Sequence, residues 1–378
     1  MNKKVCILTS VHSAFDTRIF HKQAKSLVEA GYDVTLIAQH DKDEFVDGIK
    51  MVALPKPKNR LWRIIGIWRV FKLALKQKAE VYHFHDPELI PIAVLLKLFT
   101  NGKVIFDVHE NVKYDILSKS WLPKGTRRLL SLTYQLTEKL SFPFIDEIII
   151  AEDSYIKNYK NQKNILALRN YPILSFIKEV SETKNPHPTL VYVGAITEVR
   201  GVLELIEATR LLKPKYENIL LTLVGRMYPV RLEEKISKLL EQFNLQQNVH
   251  LVGKVKHEEV YTILPRCHIG MAILHPTPNN IESLVTKLFE YMAVGLPVIA
   301  SNFLLWKELI EGNNCGLTAD PLNPEEIAKA AEYLIEYPNE ARKMGKNGTK
   351  AVLEKYNWET ESKKLLEIYS KLLGGIDV

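Results

Sequence analysis

Short runs of β-branched and aliphatic residues alternate with longer amphipathic stretches along the whole chain. In the first half the apolar runs are Val5–Thr9, Asp33–Ala38, Lys50–Leu54, Val81–Phe84, Lys103–Asp107 and Glu147–Ala151. Most show no polar face, the pattern of strands covered on both sides. The stretch Ile19–Ala30 keeps helical spacing and stops at Gly31, a residue that accepts the left-handed conformation just past a helix. The second half repeats the arrangement, with strands expected at Leu190–Val193, Ile219–Val224, His250–Val252, Ile269–Ala272, Pro297–Ala300 and Gly316–Thr318. Its helices are expected at Arg200–Leu212, Arg231–Phe243, Glu258–Leu264, Lys287–Val294 and Pro324–Glu336. Strand and helix in regular alternation predict an α/β protein with parallel, doubly wound sheets. Ser175 to Pro188 is polar and ends in Pro186-His187-Pro188, so it reads as a linker between residues 1–174 and 189–358. Two Rossmann-like halves joined by one linker are expected to face a cleft, with ligands beyond the carboxyl ends of the strands.

Composition changes this picture in two places. The chain has 378 residues, too many for one ordinary core and suited to two domains. Cys6, Cys267 and Cys315 are too scattered for a disulfide framework or a metal-ligand pair, which fits a reducing, cytoplasmic setting. No N-terminal signal is visible, and no run approaches the ~20 apolar residues of a membrane span. The net charge is +7, and from Gly48 to Ala79 there is no acidic residue. Lys56, Lys58, Arg60, Arg63, Arg69, Lys72, Lys76 and Lys78 fall in that stretch, which suits phosphates of lipid or nucleic acid or else a solvated face. Leu61, Ile64, Ile65, Trp68, Phe71 and Leu75 keep helical spacing there and are expected to pack on the sheet. The basic flank, residues 56–78, is left as a candidate contact with an anionic membrane, helped by Trp62 and Trp68. Ser120 to Arg128 adds a second basic patch with Trp121.

The chemistry concentrates after the strands of the second half. Asn280 to Ser301 contains two glutamates, Glu282 and Glu290, separated by seven residues, then Gly295-Leu296-Pro297 turning into a buried strand. A helix opening near Thr286 presents free N–H groups and positive dipole, and Lys287 adds full charge, a combination suited to a phosphate. The glutamates can accept hydrogen bonds from hydroxyls of an extended ligand. Earlier, Val193-Gly194-Ala195 through Val199-Arg200-Gly201 forms a strand, a glycine turn and a helix start with a cation at its entrance. Together these stretches resemble glycosyltransferase family 4, retaining enzymes of the GT-B fold with an E-x7-E signature, and the likeness runs from residue 5 to about 370. It implies that Glu282 meets the donor sugar, Glu290 the ribose, and Arg200 the diphosphate near Gly194, with Leu288 beside the donor. The family usually carries a second cation directly after the first glycine, where this chain has Ala195. Lys287 or Arg226 is expected to stand in. Val249 to Val255 corresponds to the turn that lies against the base through its backbone. Tyr356-Asn357-Trp358-Glu359 and the helix beyond, about 359–378, resemble the family's C-terminal helix, which crosses back onto the first domain.

In the first half, the loop Thr9 to Arg18 lacks G-x-G-x-x-G, which argues against a dinucleotide oxidoreductase. Ser13, Asp16 and Arg18 are candidates for the acceptor side, or for local capping. His83-Phe84-His85-Asp86-Pro87-Glu88 and Asp107-Val108-His109-Glu110 follow neighbouring strands. They read as metal ligands only if three or four converge. The resemblance favours an acceptor-lining role for His85, His109 and Glu110, with His109 beside the reacting sugar, and it implies neither metal nor cofactor. Asp41-Lys42-Asp43 reads as loop.

The expected reaction moves a sugar from a nucleoside diphosphate to a hydroxyl of a glycan or lipid-linked acceptor. His109, Arg200, Lys287 and Glu282 are the expected catalytic residues, nucleic acid is not an expected partner, and surface polysaccharide synthesis is the expected setting. The alternatives are a sugar-nucleotide epimerase or a glycan phosphorylase of the same fold, or a non-catalytic nucleotide or glycan binder. Nucleotide release without acceptor marks the first, glucose 1-phosphate formation the second, and salt-sensitive RNA binding without turnover the last.

Overall fold

The structure, a computed structural model, describes residues 2–118, 122–177 and 183–374, leaving aside the side chains at 60, 61, 64, 118 and 230. The chain forms two compact units, Met1–Asn170 with Trp358–Val378, and Tyr171–Asn357.

The first unit is built on eight strands: β1 (Lys4–Ser13), β2 (Asp33–Gln39), β3 (Glu44–Val46), β4 (Ile49–Leu54), β5 (Val81–Phe84), β6 (Lys103–Val108), β7 (Glu147–Ile150) and β8 (Ile165–Ala167). Their order is β3-β4-β2-β1-β5-β6-β7-β8, parallel except for the β3–β4 pair. All four residues of β5 and of β7 are buried, which is why these runs show no polar face. The two unforeseen edge strands have three residues each, too short for a period. Strand β3 exists because Asp47 and Gly48 both take positive φ, 52° and 79°, closing a two-residue hairpin turn. The first helix also differs from expectation. It starts at Asp16, whose carboxylate caps the N–H groups of Arg18 and Ile19, and runs as a π-helix over Thr17–Ala24 before becoming α-helical at Lys25–Glu29.

The helix Arg60–Gln77 corrects part of the expected apolar stripe, since Phe71 and Leu75 do pack on the core. Val70 and Ala74 are buried with Ile67 and Phe71 packed behind them, whereas Ile65 and Trp68 are more than half exposed, as is Trp62. The helix is apolar around more than one face, so spacing alone could not choose which face turned inward. Leu61 and Ile64 side chains, together with Ser120 and Trp121 of the second patch, lie outside the described residues.

The second unit carries six parallel strands in the order β11-β10-β9-β12-β13-β14. They are β9 (Thr189–Val193), β10 (Leu220–Val224), β11 (Val249–Gly253), β12 (Ile269–Ala272), β13 (Val298–Ser301) and β14 (Gly316–Ala319). Residues 171–174 belong to this unit rather than to the first half, because Tyr171 packs on Phe289 and Tyr356 at ring distances of 4.6 and 5.4 Å. Residues 178–182 of the linker lie outside the described residues. The helix Trp358–Leu373 closes the first unit: Trp358 donates to the Ser26 hydroxyl at 2.9 Å, and Tyr369 is buried against His83. Among the described residues no helix is long and apolar enough to cross a membrane.

Candidate active site

In the second unit, Gly194 ends β9 with φ 130°, and Gly225 ends β10 with φ 150°. A side chain on Gly225 would stand 1.8 Å from the Gly194 carbonyl, so the two turns touch backbone to backbone. The Gly194 N–H donates to the Val224 carbonyl and Ile196 N–H to the Arg226 carbonyl, locking the pair. Above Gly194 two cations converge. A Cβ built there would lie 3.1 Å from Lys287 Nζ and 3.4 Å from Arg200 Nη1. Lys287 is 5% exposed and its ammonium is buried without a hydrogen-bond partner, over the Tyr192 ring at 3.8 Å. Burial and the neighbouring Arg200 push Lys287 well below the usual lysine range. The helix carrying it, Thr286–Ala293, has no side-chain cap at its N-terminus. Glu290 sits one turn further on, 6% exposed, with His257 Nδ1 3.8 Å from its carboxylate. A glycine floor, two converging cations and a helix N-terminus form a cradle for an anion the size of a diphosphate.

In the first unit, the carboxyl ends of β1, β5 and β6 meet around Asp107. Its carboxylate accepts two bonds from Arg18, at 3.0 and 2.9 Å, and one from Gln23 at 2.6 Å, all fully inside the unit. His85 Nδ1 and His109 Nε2 are 2.9 Å apart, and both approach the same carboxylate at 3.5 and 3.6 Å. His83 lies behind, stacked on His85 and joined to the Tyr369 hydroxyl at 2.8 Å. Burial alone would raise Asp107, but Arg18 and His109 hold it well below the carboxylate range. Burial pushes His83 far down and His85 to about 4, so both are neutral near pH 7. Only His109 of this set reaches the surface, with 18% of its side chain exposed, where it meets the His12 ring at 5.2 Å. His83, His85 and Asp107 stand close enough to share a metal ion. The bidentate Arg18 nevertheless covers both oxygens of Asp107, and a guanidinium at that distance repels a second cation.

Two family models match the chain. The model described as glycosyltransferase family 4 covers residues 17–159, and the one described as glycosyl transferases group 1 covers residues 175–351. The chain is a family 4 glycosyltransferase. An uncharacterized glycosyltransferase of Methanocaldococcus jannaschii is 26% identical over 256 residues, 65% of this chain and 63% of that protein. Another, from Haemophilus influenzae, is 24% identical over 346 residues, 89% of this chain and 92% of its own length. Sucrose-phosphate synthase from Thermosynechococcus elongatus superposes with a TM-score of 0.79 at 20% identity, over 99% of this chain and all of that one. The fold is GT-B.

Within this glycosyltransferase, Gly194, Arg200 and Lys287 come together as the motifs suggest, and Glu290 shares the Lys287 helix. Glu282 caps the short helix Pro278–Ile281 in the loop that precedes it. The other candidates take varied places, and Leu288, Arg18 and His85 are corrected by their burial. Arg226 is exposed, with its guanidinium stacked on Tyr228 at 4.8 Å, while Lys287 occupies the cradle. Leu288 is wholly buried and its N–H donates to the Val285 carbonyl, so it supports the core. Arg18 is 4% exposed and committed to Asp107, so it holds the histidine cluster from within. His85 lies beneath His109 at 2% exposure. Asp16 caps the first helix, with His12 3.5 Å away, while Ser13, the last residue of β1, and Glu110, just beyond β6, are exposed. Asp41 and Asp43 are loop residues, the latter accepting from the Ala53 N–H. Tyr192 and Tyr369 were not foreseen; each is a buried strand or helix tyrosine whose ring contact appears only across elements.

The neutral histidines carry a pH signature. A histidine with its folded value near 4 binds fewer protons than the unfolded chain between pH 4 and about 6.5. Its contribution to stability is therefore complete above pH 6.5 and is lost as the pH falls toward 4. Thermal unfolding of the first unit is expected to shift down steadily over that window, and His85→Phe is expected to flatten the slope. An identical slope in the variant counts against this assignment.

Proposed function

We propose that this enzyme transfers a sugar from a nucleoside diphosphate to a hydroxyl of a glycan or lipid-linked acceptor, with retention of configuration. The observation that carries the proposal is the unpartnered Lys287 ammonium beside Arg200 over Gly194. As the donor bond breaks, negative charge grows on the leaving diphosphate. Cations already desolvated and aimed at that position stabilise the transition state more than the ground state. Glu290 takes the ribose hydroxyls and Glu282 the donor sugar. The acceptor attacks the face the diphosphate leaves, with no metal or cofactor required. The first unit takes the acceptor side, with His109, its exposed edge backed by the buried Asp107 pair, as the residue that meets the acceptor hydroxyl. Exposed Trp62, Ile65 and Trp68 within the acid-free stretch favour contact of residues 56–78 with an anionic membrane, on its cytoplasmic face. Such placement fits synthesis of a surface polysaccharide.

Arg200→Ala is expected to lower kcat by about 10²–10³ with the fold intact, the usual effect of losing one transition-state donor. Glu290→Ala is expected to raise KM for the donor chiefly. Both are read from initial rates at varied donor concentration. Wild-type kcat in Arg200→Ala rejects the diphosphate assignment.

A further inference from the structure

Beyond the carboxyl ends of β6 and β7, the first unit holds a cavity of about 810 Å³. Its walls are the segment 108–113 after β6, one face of the helix Lys124–Ser141, and the turn 155–162 after β7. Lys113, Lys139, Lys157 and Lys160 line it, against the acids Glu110 and Glu138. Glu138 is drawn inward: its carboxylate accepts from the hydroxyls of Tyr134 at 2.6 Å and Tyr159 at 2.8 Å. Tyr155 and Tyr159 are buried beside it, with Phe142 edge-on to Tyr159 at 5.9 Å. Aromatic faces with a carboxylate suit the C–H surfaces and hydroxyls of a sugar. Lysines around them suit a phosphate as movable point charges.

The same helix has a second face. Leu129, Leu132, Leu136 and Leu140, spaced by three and four residues, are 59–66% exposed. Glu138 is the helix's one acid, so the exposed leucine stripe carries no negative charge and is interrupted by Thr133 and edged by Lys124, Arg128 and Lys139. An apolar stripe edged by cations repels a copy of itself and fits an anionic lipid surface.

We propose that this cavity binds the acceptor, and that the acceptor is a sugar phosphate. This rests on the assignment of the acceptor side to the first unit. The leucine face favours a sugar phosphate carried on a lipid, its head in the cavity and its chain along the stripe.

The test is calorimetric titration of the full chain with glucose, glucose 1-phosphate and the octyl ester of glucose 1-phosphate. Lys139→Ala/Lys157→Ala and Leu132→Gln/Leu136→Gln are compared with wild type, and UDP and GDP thermal shifts are recorded in parallel. The phosphate probes are expected to bind, glucose is not, and the lysine pair variant is expected to lose about tenfold or more in affinity with its nucleotide shift unchanged. Tighter binding of the octyl ester, weakened by the leucine variant, supports the site with a lipid source. Equal binding of both phosphates, indifferent to the leucines, supports it with a soluble source. Absence of phosphate binding, or binding that survives loss of Lys139 and Lys157, overturns the proposal. Survival there with loss in Lys287→Met assigns the binding to the second unit. Wild-type phosphate binding that the lysine variant loses, in a protein that neither UDP nor GDP stabilises, upholds this cavity while rejecting the donor assignment.

Discussion

Lys287→Met is expected to abolish most transfer activity while making the second unit more stable. The two effects have one cause. The ammonium is buried, lacks a hydrogen-bond partner, and shares its pocket with Arg200, relieved by the face of Tyr192 and, without a hydrogen bond, by the Glu290 carboxylate on the same helix. A buried cation that no anion hydrogen-bonds is costly, and replacing buried charge by an apolar side chain of similar shape is often neutral or stabilising. A gain of about 1–2 kcal/mol is expected, a few degrees in Tm for a unit of this size. The same substitution removes a charge aimed at the leaving diphosphate, for an expected loss of about 10²–10³ in kcat. Binding carries a further signature. Because burial and Arg200 hold Lys287 below its ordinary range, an arriving diphosphate raises it again, and the complex takes up protons. Titration of nucleotide in buffers of different ionisation heat is expected to show that uptake in wild type and less of it in Lys287→Met. A variant that is less stable and equally active means that Lys287 is a structural residue.

Asp107→Ala is expected to be the most damaging single change to the first unit. It strips the bidentate partner from Arg18, which is 4% exposed, and the acceptor from Gln23. Breaking a buried pair on one side typically costs about 3–5 kcal/mol, because the surviving charge stays buried. That corresponds to roughly 10 °C in Tm. Arg18→Met/Asp107→Ala is expected to recover much of the loss, since it removes the stranded charge as well, and the double-mutant cycle isolates the coupling. Differential scanning calorimetry reads both. A single variant within 1 kcal/mol of wild type, or a double variant no better than the single, rejects the pair as the anchor of the histidine cluster. Activity through His109 is expected to fall with it, because His109 Nε2 leans on Asp107 and His85.

Much of this was legible in the chain. The strands that place the site were read within a few residues, because runs such as Val81–Phe84 and Ile269–Ala272 are buried on both faces and carry no competing pattern. Gly194, Arg200 and Lys287 were read together because glycine turns and helix openings leave local marks. What stayed hidden was pairing over distance. The loop offers Arg18 either as an acceptor contact or as a local cap, since nothing within ten residues shows that it meets Asp107, 89 positions away. Of the stripe expected in the helix Arg60–Gln77, Phe71 and Leu75 pack on the core but Ile65 and Trp68 stay exposed, because apolar residues surround the helix and only the sheet beneath selects a face. Leu288 looked close to the donor by position, yet helix geometry turned it into the core.

By itself the amino-acid order determined the alternation of strand and helix, the parallel sheets, and which loops fall beyond strand ends, since these follow from periodicity and local backbone preference. It also supplied the residue types of a phosphate cradle. Tertiary structure alone decided which cations are without partners and which are already paired. Lys287 and Arg18 are both buried, but one stands unbonded beside a second cation and the other is closed onto a carboxylate. Charge interactions and hydrogen bonds fall off within a few ångströms, so that distinction exists only once the chain has brought distant residues together.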